Sequence, residues 1–159
     1  MMCYICRQNK ANTLEHIVPK SLGGKKKVRI LCHKCNNVSG GEVDNYLKDF
    51  FTSNSSHLSN QVLKGIFKIA TNFCTFNNLI SKVDLLPFIF ENINLSEIVK
   101  PLNYEAKNDE VCHSIVINGA KDGDLYCFIS IYNLSFSVLL NSFYEVSDIQ
   151  KILIKKRNV

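Results

Sequence analysis

Two Cys-x2-Cys pairs, Cys3 with Cys6 and Cys32 with Cys35, constrain this chain more than any other feature of it. A Cys-x2-Cys turn places two sulfurs on one side of a tight loop, and two such turns complete a tetrahedron around a thiophilic cation. With 25 residues between Cys6 and Cys32, the spacing fits a closed four-sulfur zinc site, so both ends of that segment must fold back onto one point. The cysteine count is seven, an odd number with four in these pairs, which fits metal ligation in a reducing compartment better than a disulfide framework. Cys74, Cys112 and Cys127 sit among apolar or small neighbours and read as core residues. A zinc ion with all four positions filled binds no water, so the cysteines stabilise a fold and leave the chemistry to other residues.

Those residues lie between and just after the pairs. Leu14-Glu15-His16-Ile17-Val18 is β-branched toward its end and closed by Pro19, which predicts a short strand. Gly23-Gly24 reads as a turn, and Val28 to Leu31 as a returning strand that delivers Cys32. From Cys35 one or two helical turns are expected, ended by Gly40 or Gly41 in the left-handed conformation. Glu15, His16 and Asn36 offer a hard carboxylate oxygen, an imidazole that titrates near neutrality and an amide oxygen. The two oxygens suit a magnesium-like cation, and the imidazole suits a general base. Taken singly, each has a structural reading: a hydrogen-bonded core histidine, a carboxylate partner for the lysines, a helix N-cap. Their grouping around a basic loop favours a hydrolytic site.

Charge supports the grouping. The net charge of the chain is +5, yet residues 1–42 hold eight Lys and Arg against two Glu, a local +6 that leaves −1 for the remainder. A polyphosphate partner requires such local basicity, because each neutralised phosphate releases condensed counterions. Thiolates around zinc account for one or two cations. They do not account for Lys20, Lys25, Lys26, Lys27, Arg29 and Lys34 together, which are the candidate nucleic-acid contacts.

Cys-x2-Cys, then Glu-His-Ile-Val-Pro-Lys-Ser-Leu-Gly-Gly, then Cys-His-Lys-Cys-Asn-Asn with Gly40 beyond it, resembles the zinc-containing branch of the HNH endonucleases, the ββα-metal nucleases. The resemblance covers residues 3 to about 41. It implies two strands and a helix gripping one catalytic divalent metal, Mg2+ or Mn2+, beside the structural zinc. By position, His16 resembles the general base, Glu15 the acidic metal ligand before it, and Asn36 the third motif residue. The middle asparagine of the motif falls on Lys27, a departure that touches loop geometry more than chemistry. The implied activity is hydrolysis of DNA, with RNA left open, to 5′-phosphate and 3′-hydroxyl ends; the alternative is a non-catalytic zinc-containing nucleic-acid-binding module. Adjacent residues of a regular strand point to opposite faces, so Glu15 and His16 reach one phosphate only if the strand is irregular there.

At 159 residues and 46% hydrophobic, the chain has material for a core beyond the metal module. The expected class is α+β: an N-terminal zinc-stapled ββα-metal module at 1–41, then an accessory region at 42–159 in which a helical layer packs on a small antiparallel sheet. Val43, Tyr46, Leu47, Phe50 and Phe51 predict an amphipathic helix over 42–51, followed by a small polar loop. A longer helical pattern covers 58–80, with Val62, Leu63, Ile66, Ile69, Phe73 and Phe76 on one face and Lys64, Lys68 and Asn72 on the other; Gly65 would admit a close neighbour. Short helices are expected at 84–90 and 94–99, and strands at 111–117, 125–132 and 135–140, with a short fourth at 143–146. Residues 147–156 fit helix or strand. The apolar runs are too short to span a bilayer and no signal-peptide core follows Met1, so a soluble cytoplasmic protein is expected, one that forms a homodimer or meets a partner protein through 42–159.

Overall fold

The computed structural model describes residues 1–53, 57–77, 94–102, 112–119, 125–132, 134–140 and 152–157. The N-terminal part is a two-stranded antiparallel hairpin followed by helix. β1 is Thr13–His16 and β2 is Lys27–Leu31. A 3-10 turn at Lys20–Leu22 lies between them and closes on Gly23, whose φ of 80° belongs to the left-handed region that glycine enters freely. Gly24 is demanded by space, because a Cβ there would stand 1.7 Å from the Val18 carbonyl oxygen.

The helix after Cys32 does not stop at the glycines. α1 (His33–Ser39) runs into a π-helical turn at Gly40–Asp44 and on into α2 (Asn45–Thr52), with Gly40 in the right-handed conformation at φ −65°. The expected left-handed cap at Gly40 or Gly41 is therefore corrected, and helix crosses residues 41 and 42 unbroken. Glycine permits a left-handed residue without requiring one. Val43, Leu47 and Phe50 bury themselves along the continuing helix and decide the matter. Tyr46, at the edge of that stripe, stays half exposed.

α3 (Asn60–Phe76) starts at Ser59, whose side chain accepts a hydrogen bond from the Val62 N–H, and every residue from Val62 to Thr75 is buried. One side of α3 meets the sheet and the other meets α2, the π turn and β2. The Lys64, Lys68 and Asn72 stripe, read from the sequence as a polar face, thus faces protein rather than water. Gly65 lets α2 approach: a Cβ there would fall 2.3 Å from Leu47 Cγ.

Among the described residues the sheet has five antiparallel strands in the order β3-β6-β5-β4-β7, where β3 is Val99–Leu102, β4 Cys112–Gly119, β5 Leu125–Ile131, β6 Leu134–Leu139 and β7 Ile152–Arg157. The expected meander of β4, β5 and β6 is present, and the described part of the undecided C-terminal segment, from Ile152, is a strand. β3 replaces the end of the short helix expected at 94–99. Among the described residues β3 pairs with β6 alone, so Pro101 is tolerated with its missing donor on the open side. The helix at 84–90, the strand at 143–146 and most of the loops expected at 52–56 and 102–110 lie outside the described residues. Phe50 and Phe51 of α2 reach Phe136 of β6 with ring centroids 6.4 and 6.3 Å apart, which joins both parts in one apolar core. Cys74 and Cys127 are in that core. Among the described residues no helix is long and apolar enough to cross a membrane.

Candidate active site

The four cysteines come together as their spacing requires. Their sulfurs all lie within 4.8 Å of one another, and Cys6 Sγ is 3.9 Å from Cys32 Sγ. A tetrahedron of Zn–S bonds of about 2.3 Å has sulfurs roughly 3.8 Å apart, so the cluster is compatible with a structural zinc. The first knuckle is built locally: the Arg7 N–H donates to the Cys3 carbonyl and Arg7 itself takes a positive φ of 53°. The second is the entry to α1, with Cys32 at the N-cap and Cys35 in the first turn. Asn9 Nδ2 points at Cys6 Sγ and Cys32 Sγ, 3.9 Å from each, as a donor suited to thiolates. Burial pushes the Cys3 and Cys35 thiols above the ordinary range, so a divalent cation is what makes four thiolates compatible with this interior.

β1 is irregular just before the Glu15-His16 pair. Thr13 pairs with Leu31, Glu15 with Val28 and His16 with Lys27, so the register shifts between Thr13 and Glu15. Glu15 is 6% exposed and His16 is half-buried. Lys27 stands directly across from His16, and cross-strand partners share a face, which sets a lysine stem beside the imidazole at the motif position that departs from asparagine. Asn36 lies in the second turn of α1, half-buried, and its N–H bonds the Cys32 carbonyl; it is not the N-cap, which is Cys32. Lys20, Lys25, Lys26, Lys27, Arg29 and Lys34 are all exposed. Two of them are also held in place: Arg29 donates to the Asn12 carbonyl and Lys26 lies over the Phe76 ring, 4.6 Å from its centre.

The residues that sequence reasoning missed come from α3 and the π turn. Lys68 Nζ is 2.9 Å from Glu15 Oε1 and 3.0 Å from Asp44 Oδ1, with the Lys68 side chain 1% exposed. One helical turn on, Asn72 Nδ2 donates to the His16 carbonyl oxygen at 3.3 Å, while its Oδ1 accepts the Tyr4 hydroxyl. Burial raises the Tyr4 phenol, which keeps it a neutral donor. Burial also raises the Glu15 carboxyl, and Lys68 beside it pulls the other way. Glu15 thus does pair with a lysine, though not with one from the basic loop. The signal was a polar stripe at 64, 68 and 72 on a helix whose remaining face was already committed to a core.

Comparison with known proteins agrees with the geometry. Residues 3–52 match the family model for HNH endonuclease. The match ends at the last turn of α2, so it includes the helix beyond residue 41 and stops short of α3. No curated protein and no solved structure matches the chain. The match spans the cysteine cluster, Glu15, His16 and Asn36, and supports a nuclease-type function in general terms. It leaves α3 and the sheet unassigned.

A catalytic cation would meet few protein ligands here. Among the described residues the four cysteines form the only group of three or more His, Cys, Asp or Glu ligand atoms at metal-binding separation. Mg2+ is usually held by one or two protein oxygens with water and substrate phosphate completing its shell. With Lys68 on Oε1, the Glu15 contact would be through Oε2.

Proposed function

We propose that this protein is a metal-dependent HNH endonuclease that hydrolyses DNA phosphodiester bonds. The observation that carries the reading is the match of residues 3–52 to HNH endonucleases on a β1 whose register shifts just before the Glu15-His16 pair. Glu15 and Asn36 would hold Mg2+ or Mn2+, which supplies charge stabilisation at the phosphorus centre and the leaving oxygen. His16, as neutral imidazole, takes a proton from water at a ring nitrogen, and the hydroxide adds in line to phosphorus. The bond to the 3′ oxygen breaks, that oxygen takes a proton, and the ends are 5′-phosphate and 3′-hydroxyl. Lys27 would bind the phosphate beside His16. Lys20, Lys25, Lys26, Arg29 and Lys34 would hold flanking backbone, and such contacts do not by themselves select DNA over RNA. Residues 42–159 would place the module on its target, as a homodimer or with a partner protein.

One observation favours the second reading, a non-catalytic nucleic-acid-binding module: Glu15 is buried and already engaged by Lys68. Nicking of supercoiled plasmid with Mg2+ or Mn2+ separates the two. Cleavage that EDTA abolishes and that is lost in His16→Ala supports the nuclease; binding without nicking across a full metal series rejects it.

A further inference from the structure

We propose that Lys68 and Asn72, on successive turns of α3, are positioning residues for the Glu15-His16 pair, so that a helix outside the HNH match completes the nuclease site. The proposal rests on the nuclease reading and deepens it. Two adjacent catalytic residues need two separate constraints, and α3 supplies one for each. Lys68 takes Oε1 of Glu15 at 2.9 Å, and because a carboxylate is planar, fixing one oxygen and the stem fixes where the other points. Asn72 holds the backbone of His16 through its carbonyl oxygen and ties it, through Tyr4, to the zinc knuckle.

The second partner of Lys68 gives the arrangement its charge. Lys68 Nζ is shared between Glu15 and Asp44, two acids to one basic group, so it offsets Glu15 only in part and leaves it an attraction for a cation. Asp44 comes from the π turn, the one interruption in the helix from residue 33 to 52, and such turns often mark functional positions. The register shift in β1 is the irregularity beside which these contacts are made. A packing role for a lysine would not need both carboxylates, since an apolar side chain of similar volume fills the same space without the cost of burying charge.

The test uses the full zinc-loaded chain and compares the parent with Lys68→Met, Lys68→Arg and Asn72→Ala. It reads plasmid nicking against DNA and Mn2+ concentration, Mn2+ binding by calorimetry without DNA, zinc content and melting. Partners one step removed from the reacting atoms change metal affinity or activity by about 10- to 100-fold. Lys68→Met should therefore lower kcat at least about 10-fold with little change in KM for DNA, and weaken Mn2+ binding about 10-fold, while holding its zinc; Lys68→Arg should recover much of both. Asn72→Ala, which leaves no buried charge unpaired, should lower kcat in the same direction and decides the matter if Lys68→Met does not fold. Parent-like kcat and Mn2+ affinity in folded variants would overturn the proposal, as would tighter Mn2+ binding in Lys68→Met, which would make Lys68 a competitor of the cation. A parent that neither cuts nor binds Mn2+ rejects the nuclease reading itself, an outcome distinct from a parent that cuts beside a Lys68→Met that cuts equally well.

Discussion

Two regions meet at the Glu15-His16 pair and hold it by different physics. On one side is the zinc knuckle, where Cys3, Cys6, Cys32 and Cys35 gather their sulfurs and a bound zinc would close the loop. On the other is α3, held by continuous burial from Val62 to Thr75 between the sheet and the helix that follows the hairpin. The knuckle brings the strands of the hairpin together, but its sulfurs do not touch Glu15. α3 touches the pair through Lys68 and Asn72 but contributes no residue of the motif. A site of this kind separates what folds the module from what aligns its reacting groups.

Zinc removal is the largest test of that separation. Structural zinc contributes about 10–16 kcal/mol of apparent folding free energy in isolated fingers, far more than one apolar contact. Stripping the metal with a strong chelator, or Cys32→Ser, should abolish cleavage and expose the amides of β1, β2 and α1 to rapid hydrogen exchange. Amides of β5, the central strand, should stay protected. Loss of protection in β5 at the same rate would show that the two regions are one cooperative unit.

His16→Ala comes next and acts on chemistry alone. A general base contributes roughly 100- to 10,000-fold, so cleavage should fall by that factor while zinc content and DNA affinity stay near those of the parent. Equal loss of DNA binding would show that His16 is a structural residue.

How these regions were read from the sequence follows the same division. The knuckle, the hairpin and the Glu15-His16 pair were legible because their information is local: cysteine spacing, a strand closed by Pro19, a resemblance carried by neighbouring residues. The meander of β4, β5 and β6 was legible from alternating runs separated by turn residues. Lys68, Asn72 and Asp44 were not. Their role depends on which elements surround α3, and a lysine at a helix position looks the same whether water or Glu15 lies opposite. Gly40 misled for a related reason, since the burial of Val43 and Leu47 against distant residues decides whether the helix continues. β3 went unread because residues 94–99 fit a short helix, and the pairing that makes 99–102 a strand comes from distant β6.

Gly65→Ala probes the join between the two regions without touching the site. The added Cβ would meet Leu47 Cγ, Cδ1 and Cδ2 at 2.3, 2.5 and 2.7 Å. Leu47 is fully buried, so its flexible end has little room to move, and overpacking of this sort costs about 1–3 kcal/mol. The melting temperature should drop by several degrees, at about 2–4 °C per kcal/mol for a chain of this size, with zinc still bound. If α2 shifts away from α3 to relieve the clash, Asp44 moves from Lys68, and cleavage should fall more than the stability loss explains.

The smallest effects distinguish residues that touch phosphate from residues that shape the loop. Lys27, exposed and directly opposite His16, should lower the slope of log affinity against log salt by about 0.9 when changed to alanine, as loss of one phosphate contact requires. Phe76→Leu removes the ring beneath Lys26, an interaction of about 0.5–1 kcal/mol at an exposed site, yet takes away no charge. Its salt slope should match the parent, with only a slight fall in melting temperature. A slope change in Phe76→Leu as large as that of Lys27→Ala would mean that α3 sets the electrostatics of the DNA face as well as the geometry of Glu15 and His16. Parallel slopes would confine its influence to the pair.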